Sequence, residues 1–265
     1  HTLFPYTTLF RSPTVIIVLG RALFSSIFLL IIILYLKKDI KLKQPNHYFY
    51  LSLMGVILAI HWSTFFQSIQ VSTVAIGLIT FSTFPVFVTF LEPYFFKEKI
   101  KLSNCVIAII TLFGAVLVVP SLKLGDSLTQ GFLWGMVSSF TYAIVSMLNR
   151  KYVKVYSSIS IAFYEQLTAS IVLIPFLFFQ KSIFSLRDIL LLVLLGVVFT
   201  GISHSLFISG LKNIKTQTAG IISSLEPVYG IIFAAFILSE IPTLREILGG
   251  IIILSTVFYS TIKAK

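Results

Sequence analysis

Apolar residues gather in nine stretches along this chain: Pro13–Leu36, Tyr48–Ile69, Val71–Phe96, Leu102–Pro120, Gly131–Tyr152, Ser158–Phe179, Ile189–Leu211, Thr216–Ser239 and Leu244–Ile262. Each approaches the roughly 20 residues that a helix needs to cross a hydrocarbon layer of about 30 Å. Runs such as SIFLLIIILYL (Ser26–Leu36) show no alternation of polar and apolar positions, so the pattern predicts helices rather than barrel strands. The expected fold class is all-α integral membrane.

One element comes back. Val71–Lys99 and Thr216–Glu240 share a plan: small and hydroxylated residues first, a proline in the middle, aromatic and aliphatic residues after it, and a closing glutamate. Pro85 and Glu98 are 13 apart, as are Pro227 and Glu240, and the two prolines are 142 apart. Matched, proline-broken apolar segments in two halves of a chain point to a transporter built from repeats. The first repeat is assigned to 13–120 and the second to 131–262. Gly131–Tyr152 opens the second half without a counterpart in the first, so the halves match only if a helix is missing before Pro13. Five helices per repeat is an odd number, which forces the repeats to be inverted relative to each other. The segment His1–Ser12 (HTLFPYTTLFRS) resembles the conceptual translation of a sequencing-library adapter, with a genuine extracytoplasmic tail as the alternative.

Composition narrows the class. The 265 residues are 57% hydrophobic and 11% charged, against about 25% charged in soluble domains, and the mean hydropathy is +1.00. The formal charge of +11 would ordinarily suggest nucleic acid, but the basic residues sit in short gaps between apolar runs and form no continuous patch. Membrane orientation accounts for them. The gaps at Lys37–Lys43, Lys97–Lys101, Arg150–Lys154 and Lys212–Lys215, with the tail residues Lys263 and Lys265, hold 14 Lys and Arg; the alternate gaps hold 4. The positive-inside rule places the first set, and the C-terminus, in the cytoplasm and Pro13 outside. A single cysteine, Cys105, excludes an internal disulfide and a Cys-rich metal site.

These residues resemble an EamA-type transporter of the drug/metabolite transporter superfamily, in its ten-helix form with the first helix missing. The resemblance lies in the paired segments FPVFVTFLEPYFFKEKI and LEPVYGIIFAAFILSEIP, each followed by an apolar helix, in VLGRALF of the first surviving helix, and in GFLWGMVSSFTYAIVSMLNRKY at the opening of the second repeat. It covers Pro13–Lys265. It implies two inverted five-helix bundles around a cavity that opens alternately to each side, and outward movement of substrate. The chain departs from it at Cys105–Ala108, which lack the glycines that follow Glu240 (Gly249, Gly250).

No phosphate loop, metal-spaced cluster or nucleophile elbow is present, and no cofactor is expected. What remains are polar groups at membrane depth, where they are costly. His61 and His204 are 143 apart, close to the proline offset, so they take corresponding places in the two repeats. They are either a cavity-facing pair that binds substrate or takes a proton, with Trp62 beside His61, or neutral histidines bonded between helices. Glu226 stands about 15 Å into its stretch, just before Pro227; it would bind a cationic group, carry a coupling proton, or cap a polar neighbour. Pro85 and Pro227 break their helices. Arg21 and Glu165 lie roughly 12 Å from opposite faces: Arg21 would meet a carboxylate or an anionic substrate, or snorkel outward, and Glu165 is comparable. Glu92 is expected to meet the cytoplasmic interface, and Glu98 and Glu240 to close their helices structurally. Trp134, Ser138 and Tyr142 share one helix face, and Thr80, Thr83 and Ser223 precede the prolines. Both sets would line a cavity or let helices pack closely.

The expected function is a secondary transporter of small metabolites, amino-acid-like compounds or drugs, working by alternating access in the cytoplasmic membrane. Its partners are a small-molecule substrate, the bilayer and a coupled proton. No nucleotide-binding motif drives it. The alternatives are an integral membrane enzyme on lipid-linked substrates, with His61, His204 and Glu226 as catalysts, and a non-transporting membrane subunit. The sequence carries no signature of oligomeric state.

Overall fold

The structure, a computed structural model, describes residues 13–97, 102–118, 123, 125–179, 185–223 and 225–263. His1–Ser12, Glu98, Pro120, Ser224 and Lys265 lie outside the described residues. The described chain is helical throughout, in the order α1 Thr14–Tyr35, α2 Pro45–Val71, α3 Val74–Phe81, α4 Phe84–Phe96, α5 Leu102–Leu117, α6 Ser127–Tyr152, α7 Ser158–Leu173, α8 Leu186–Gly196, α9 Ser203–Gly210, α10 Thr216–Ser223, α11 Glu226–Leu238 and α12 Leu244–Lys263. Among the described residues, six helical runs are long and apolar enough to cross a bilayer, α3 and α4 together making one of them. This is an all-α membrane protein.

The chain divides into two compact units. One gathers the residues up to Ser63 with Leu148–Lys212; the other gathers Thr64–Met147 with Asn213–Lys265. Each unit therefore draws on both halves of the sequence.

In the first unit α1 packs along α7 and α8, and α9 packs on α7. Local chemistry sets the ends. The Ser157 side chain accepts from the Ser160 N–H at the start of α7. Ser185 and Asp188 form a reciprocal capping box on α8, which starts that helix three residues before its apolar stretch. Pro175 converts the end of the Ser158–Phe179 stretch into a 3-10 turn over Ile174–Phe178, because proline cannot donate to the α-helical ladder. The stretch Ile189–Leu211 is not one α-helix either. Val197–Ile202 is a π-helical turn between α8 and α9, and the Thr200 and Ser203 hydroxyls donate to carbonyls five residues back, Leu195 at 2.7 Å and Val198 at 3.1 Å.

The second unit is organised by the repeated element. Val71–Phe96, a single apolar stretch, is two helices, α3 and α4, joined at Ser82–Thr83; Thr216–Ser239 is likewise α10 and α11. Pro85 and Pro227 each sit in the first turn of the second helix, where a missing N–H costs nothing. The bounds agree element for element at the offset of 142: Val74 with Thr216, Phe81 with Ser223, Phe84 with Glu226, Phe96 with Leu238. Even the terminators match. Lys97 and Ser239 are both left-handed, at φ 55° and 59°, a conformation that costs a non-glycine residue about 1–2 kcal/mol. The pairs run antiparallel, since α3 packs on α11 and α4 on α10. Glycines let them close: a Cβ on Gly220 would stand 3.0 Å from the Phe84 and Pro85 rings, and one on Gly230 only 2.3 Å from Leu78. Phe81, Phe84, Val88 and Ala143 form the adjoining core.

Candidate functional site

Charged side chains at membrane depth converge in the first unit. Arg21 stands on α1, buried, with its guanidinium carbon 3.9 Å from the centre of the Trp62 ring on α2. Stacking of that kind contributes about 2 kcal/mol or more when desolvated. The Arg21 Nε–H donates to Thr200 Oγ1 at 2.9 Å. Thr200 in turn donates to Leu195 O, so the π turn leaves its hydroxyl oxygen free to accept from the arginine. Glycines make the approach possible. A Cβ on Gly196 would fall 2.7 Å from Phe24 Cβ and 2.9 Å from the Arg21 carbonyl oxygen, and one on Gly201 would fall 3.2 Å from Ser25 Oγ.

The Trp62 ring is also close to both predicted histidines. Its centre is 6.1 Å from the His204 ring on α9 and 6.5 Å from the His61 ring. His204 Nε2 meets Glu165 Oε2 on α7 at 2.6 Å. Glu165 has no solvent exposure. Its backbone is pressed on by α2, where a Cβ on Gly55 would come 2.6 Å from both the Glu165 carbonyl oxygen and Thr168 Cβ.

The site is not saturated. Glu165 Oε1 is buried without a hydrogen-bond partner among the described residues, as are, in the same unit, Ser25 Oγ, Ser205 Oγ and both polar atoms of Gln166 and of Asn149. Each such group costs about 1–3 kcal/mol, more when charged, and native proteins keep few of them without a reason. A carboxylate with one oxygen on an imidazole and the other unpaired can take a proton or an ammonium group. The guanidinium, over an aromatic face, is a buried positive charge of the kind that binds anions.

The remaining predicted residues sit in the second unit. Thr80 is fully buried, with its hydroxyl unpartnered among the described residues and its Cβ 2.8 Å from where a Cβ on Gly135 would stand. Thr83 donates to Thr80 O at 2.7 Å and meets Ser139 Oγ at 3.0 Å. Ser138 is buried, Tyr142 lies against the Phe81 and Phe84 rings at 5.2 and 5.1 Å, and Trp134, on the same helix, is exposed. Ser223 is half-buried at the end of α10, and Glu226 is exposed in the first turn of α11, where the helix N-terminus favours a carboxylate.

Arg21 is buried and donates to Thr200, with Gly196 allowing the close approach. One expectation is corrected. Glu92 does not meet the interface; it is buried, and its Oε1 accepts from the Thr216 N–H at 3.0 Å. Sequence reasoning also missed Thr200 and the pairing of Glu165 with His204. Gly196 and Gly201 on either side of Thr200 were the available signal for the first. The second had none, since 39 residues separate the partners.

The family model described as the EamA-like transporter family matches residues 2–119 and again 129–262. An uncharacterized transporter of Bacillus subtilis is 28% identical over 75% of this chain, an alignment that spans 65% of that protein. An uncharacterized transporter of Archaeoglobus fulgidus is 30% identical over 74% of this chain and 70% of its own length. An S-adenosylmethionine uptake transporter of Rickettsia conorii is 26% identical over 92% of this chain and 82% of its own length. One crystal structure superposes with a TM-score of 0.73 at 16% identity, covering 98% of this chain and 91% of the other, which is a likeness of fold.

Proposed function

Because the chain belongs to the EamA-like transporter family, we propose that it is a secondary transporter carrying small amino-acid-like metabolites outward across the cytoplasmic membrane by alternating access. One observation carries this reading. The first unit holds a buried guanidinium stacked on the Trp62 ring and a buried carboxylate bonded to His204, whose ring is 6.1 Å from that indole, and one carboxylate oxygen has no partner among the described residues. Opposite charges grouped about one indole suit a zwitterion, with the substrate carboxylate towards Arg21 and its ammonium towards Glu165. S-adenosylmethionine, the substrate named for the Rickettsia relatives, carries such a head group. Those relatives are named for uptake; outward movement here is proposed to be driven by exchange for protons. His204 and Glu165 are the groups that would exchange the proton. His61, Trp62 and the polar residues of the second unit, Thr80, Thr83, Ser138, Tyr142, Ser223 and Glu226, are proposed to line the substrate path, with Pro85 and Pro227 as the hinges. The 14 basic residues on one set of loops and the C-terminal tail favour a cytoplasmic C-terminus.

The test is counterflow in proteoliposomes with a panel of amino acids and S-adenosylmethionine, in both directions, with and without a pH gradient. Wild type is expected to exchange one or more zwitterions and to concentrate them when a pH gradient is imposed. Glu165→Gln is expected to abolish concentration against the pH gradient. His204→Ala is expected to abolish exchange altogether, with the protein still monodisperse. Wild-type activity in both variants refutes the site.

A further inference from the structure

We propose that Glu92 and Glu240 are the two latches of the transport cycle, each closing one end of the second unit by holding the first turn of the opposite broken segment. The proposal rests on the transport reading. Its basis is the antiparallel pairing of α3–α4 with α10–α11. The start of one segment lies beside the end of the other, and at both places a carboxylate takes the opening amide. The Glu240 carboxylate, just past α11, accepts from the Val74 N–H at the start of α3 at 3.0 Å. The Glu92 carboxylate, on α4, accepts from the Thr216 N–H at the start of α10 at 3.0 Å. Val74 and Thr216 are 142 residues apart, so the two captured amides are equivalent positions of the repeat. The carboxylates that capture them are not: the equivalent of Glu240 is Glu98, outside the described residues, and that of Glu92 is Ala234. The two halves thus use the same joint with acids from different positions, which makes the ends chemically unequal.

The rest of the surroundings fits a joint that opens. A helix N-terminus attracts a carboxylate through its unpaired N–H groups and its dipole, and a charge-assisted bond there is about twice as strong as a neutral one. At the Val74 end a second carboxylate assists. Glu246 accepts from the Thr73 hydroxyl at 3.2 Å and from the Thr243 N–H and hydroxyl at 2.6 and 2.8 Å. At the Thr216 end the Thr216 hydroxyl is buried without a partner among the described residues. Between the joints, both segments are interrupted at the same level, at Ser82–Thr83 and at Leu225. Each end, α3 with α11 or α4 with α10, can therefore swing about the break while the other end stays joined. Releasing one latch opens one face of the membrane.

Rises confined to opposite sides of the membrane distinguish latches from ordinary structural bonds. In a Cys105→Ala background, a reporter cysteine at Ser223 is labelled with a membrane-impermeant maleimide added from one side or the other of oriented vesicles. Glu92→Ala is expected to raise labelling about tenfold from the Thr216 side alone, and Glu240→Ala by a similar factor from the Val74 side alone, as loss of one charge-assisted bond implies. Glu92→Gln and Glu240→Gln, which keep an acceptor and lose the charge, should give the same signs with smaller changes and guard against misfolding of the alanine variants. Equal rises from both sides, or no change in any variant, overturn the proposal and leave the bonds as fold supports. Absence of transport in wild type together with opposite labelling refutes the transport reading and retains the latches; transport with same-sided labelling does the reverse.

Discussion

Replacing Gly196 by alanine tests the close approach on which the Arg21 site depends. The added Cβ would lie 2.7 Å from Phe24 Cβ, 2.9 Å from Arg21 O and 3.2 Å from Ser25 N. Carbon contacts settle at about 3.5–4.0 Å, and two of these three atoms belong to the backbone of α1, so the helices must part by about 1 Å. Overpacking of that size costs about 1–3 kcal/mol. The same movement would stretch the Arg21 Nε–Thr200 bond from 2.9 Å beyond hydrogen-bond reach, a further loss of about 1.5–3 kcal/mol for a charged donor. Alanine's better helix propensity returns only about 0.5–1 kcal/mol. Gly210→Ala is the internal control, because a Cβ there meets nothing within 4 Å and should be neutral to mildly stabilising. At about 2–4 °C per kcal/mol for a chain of this size, apparent unfolding midpoints in nanodiscs should differ by at least roughly 4 °C. If Gly196→Ala melts with Gly210→Ala, the steric argument for how Thr200 reaches Arg21 is wrong.

Other substitutions separate charge from packing. His204→Ala strands Glu165 in the interior and is expected to cost about 3–5 kcal/mol, with Glu165→Gln costing clearly less; thermal unfolding of the two variants ranks them. Thr200→Val removes the acceptor for Arg21 and should lower stability by about 1.5–3 kcal/mol without altering helix content by circular dichroism. Glu226→Gln is expected to abolish exchange in the counterflow assay while lowering stability by no more than about 1 kcal/mol, since Glu226 is exposed at the start of α11. A reporter fused after Lys265 should be active in the cytoplasm, and activity on the other side would overturn the assigned topology.

Much of this architecture was legible in the residues. The apolar stretches marked the helices, and Pro85 and Pro227 marked the breaks, because proline's missing N–H is best accommodated in the first turn of a helix. The offset of 142 carried over to every boundary of the broken segments. Helix ends were harder. Ser185 with Asp188 starts α8 ahead of its apolar run, a signal that hydropathy does not register. The π turn is a matter of hydrogen-bond register, to which composition is blind. The site was visible only as parts. Arg21, His61, Trp62, Glu165 and His204 each stood out as a polar or aromatic residue at membrane depth, yet their assembly depends on which helices touch. Glu92 was misplaced because its neighbour Lys97 suggested an interface, whereas its carboxylate turns inward to Thr216.

The Arg21–Thr200 bond spans 179 residues of sequence, and that distance is also an interval of time. A ribosome adding about 5–20 residues per second would make Thr200 some 9–36 s after Arg21. Through that interval the arginine is in or near the membrane without the hydroxyl that later holds it, facing an insertion cost of about 2.5–3.5 kcal/mol at mid-bilayer. Trp62 emerges first and offers its ring as an interim neighbour; Glu165, the buried carboxylate of the same unit, follows only after more than a hundred further residues. The order of synthesis therefore sets a waiting period in which α1 depends on lipid, water or the insertion machinery to shelter one charge. A pause anywhere between Trp62 and Thr200 would lengthen that exposure and hand unfinished chains to quality-control proteolysis.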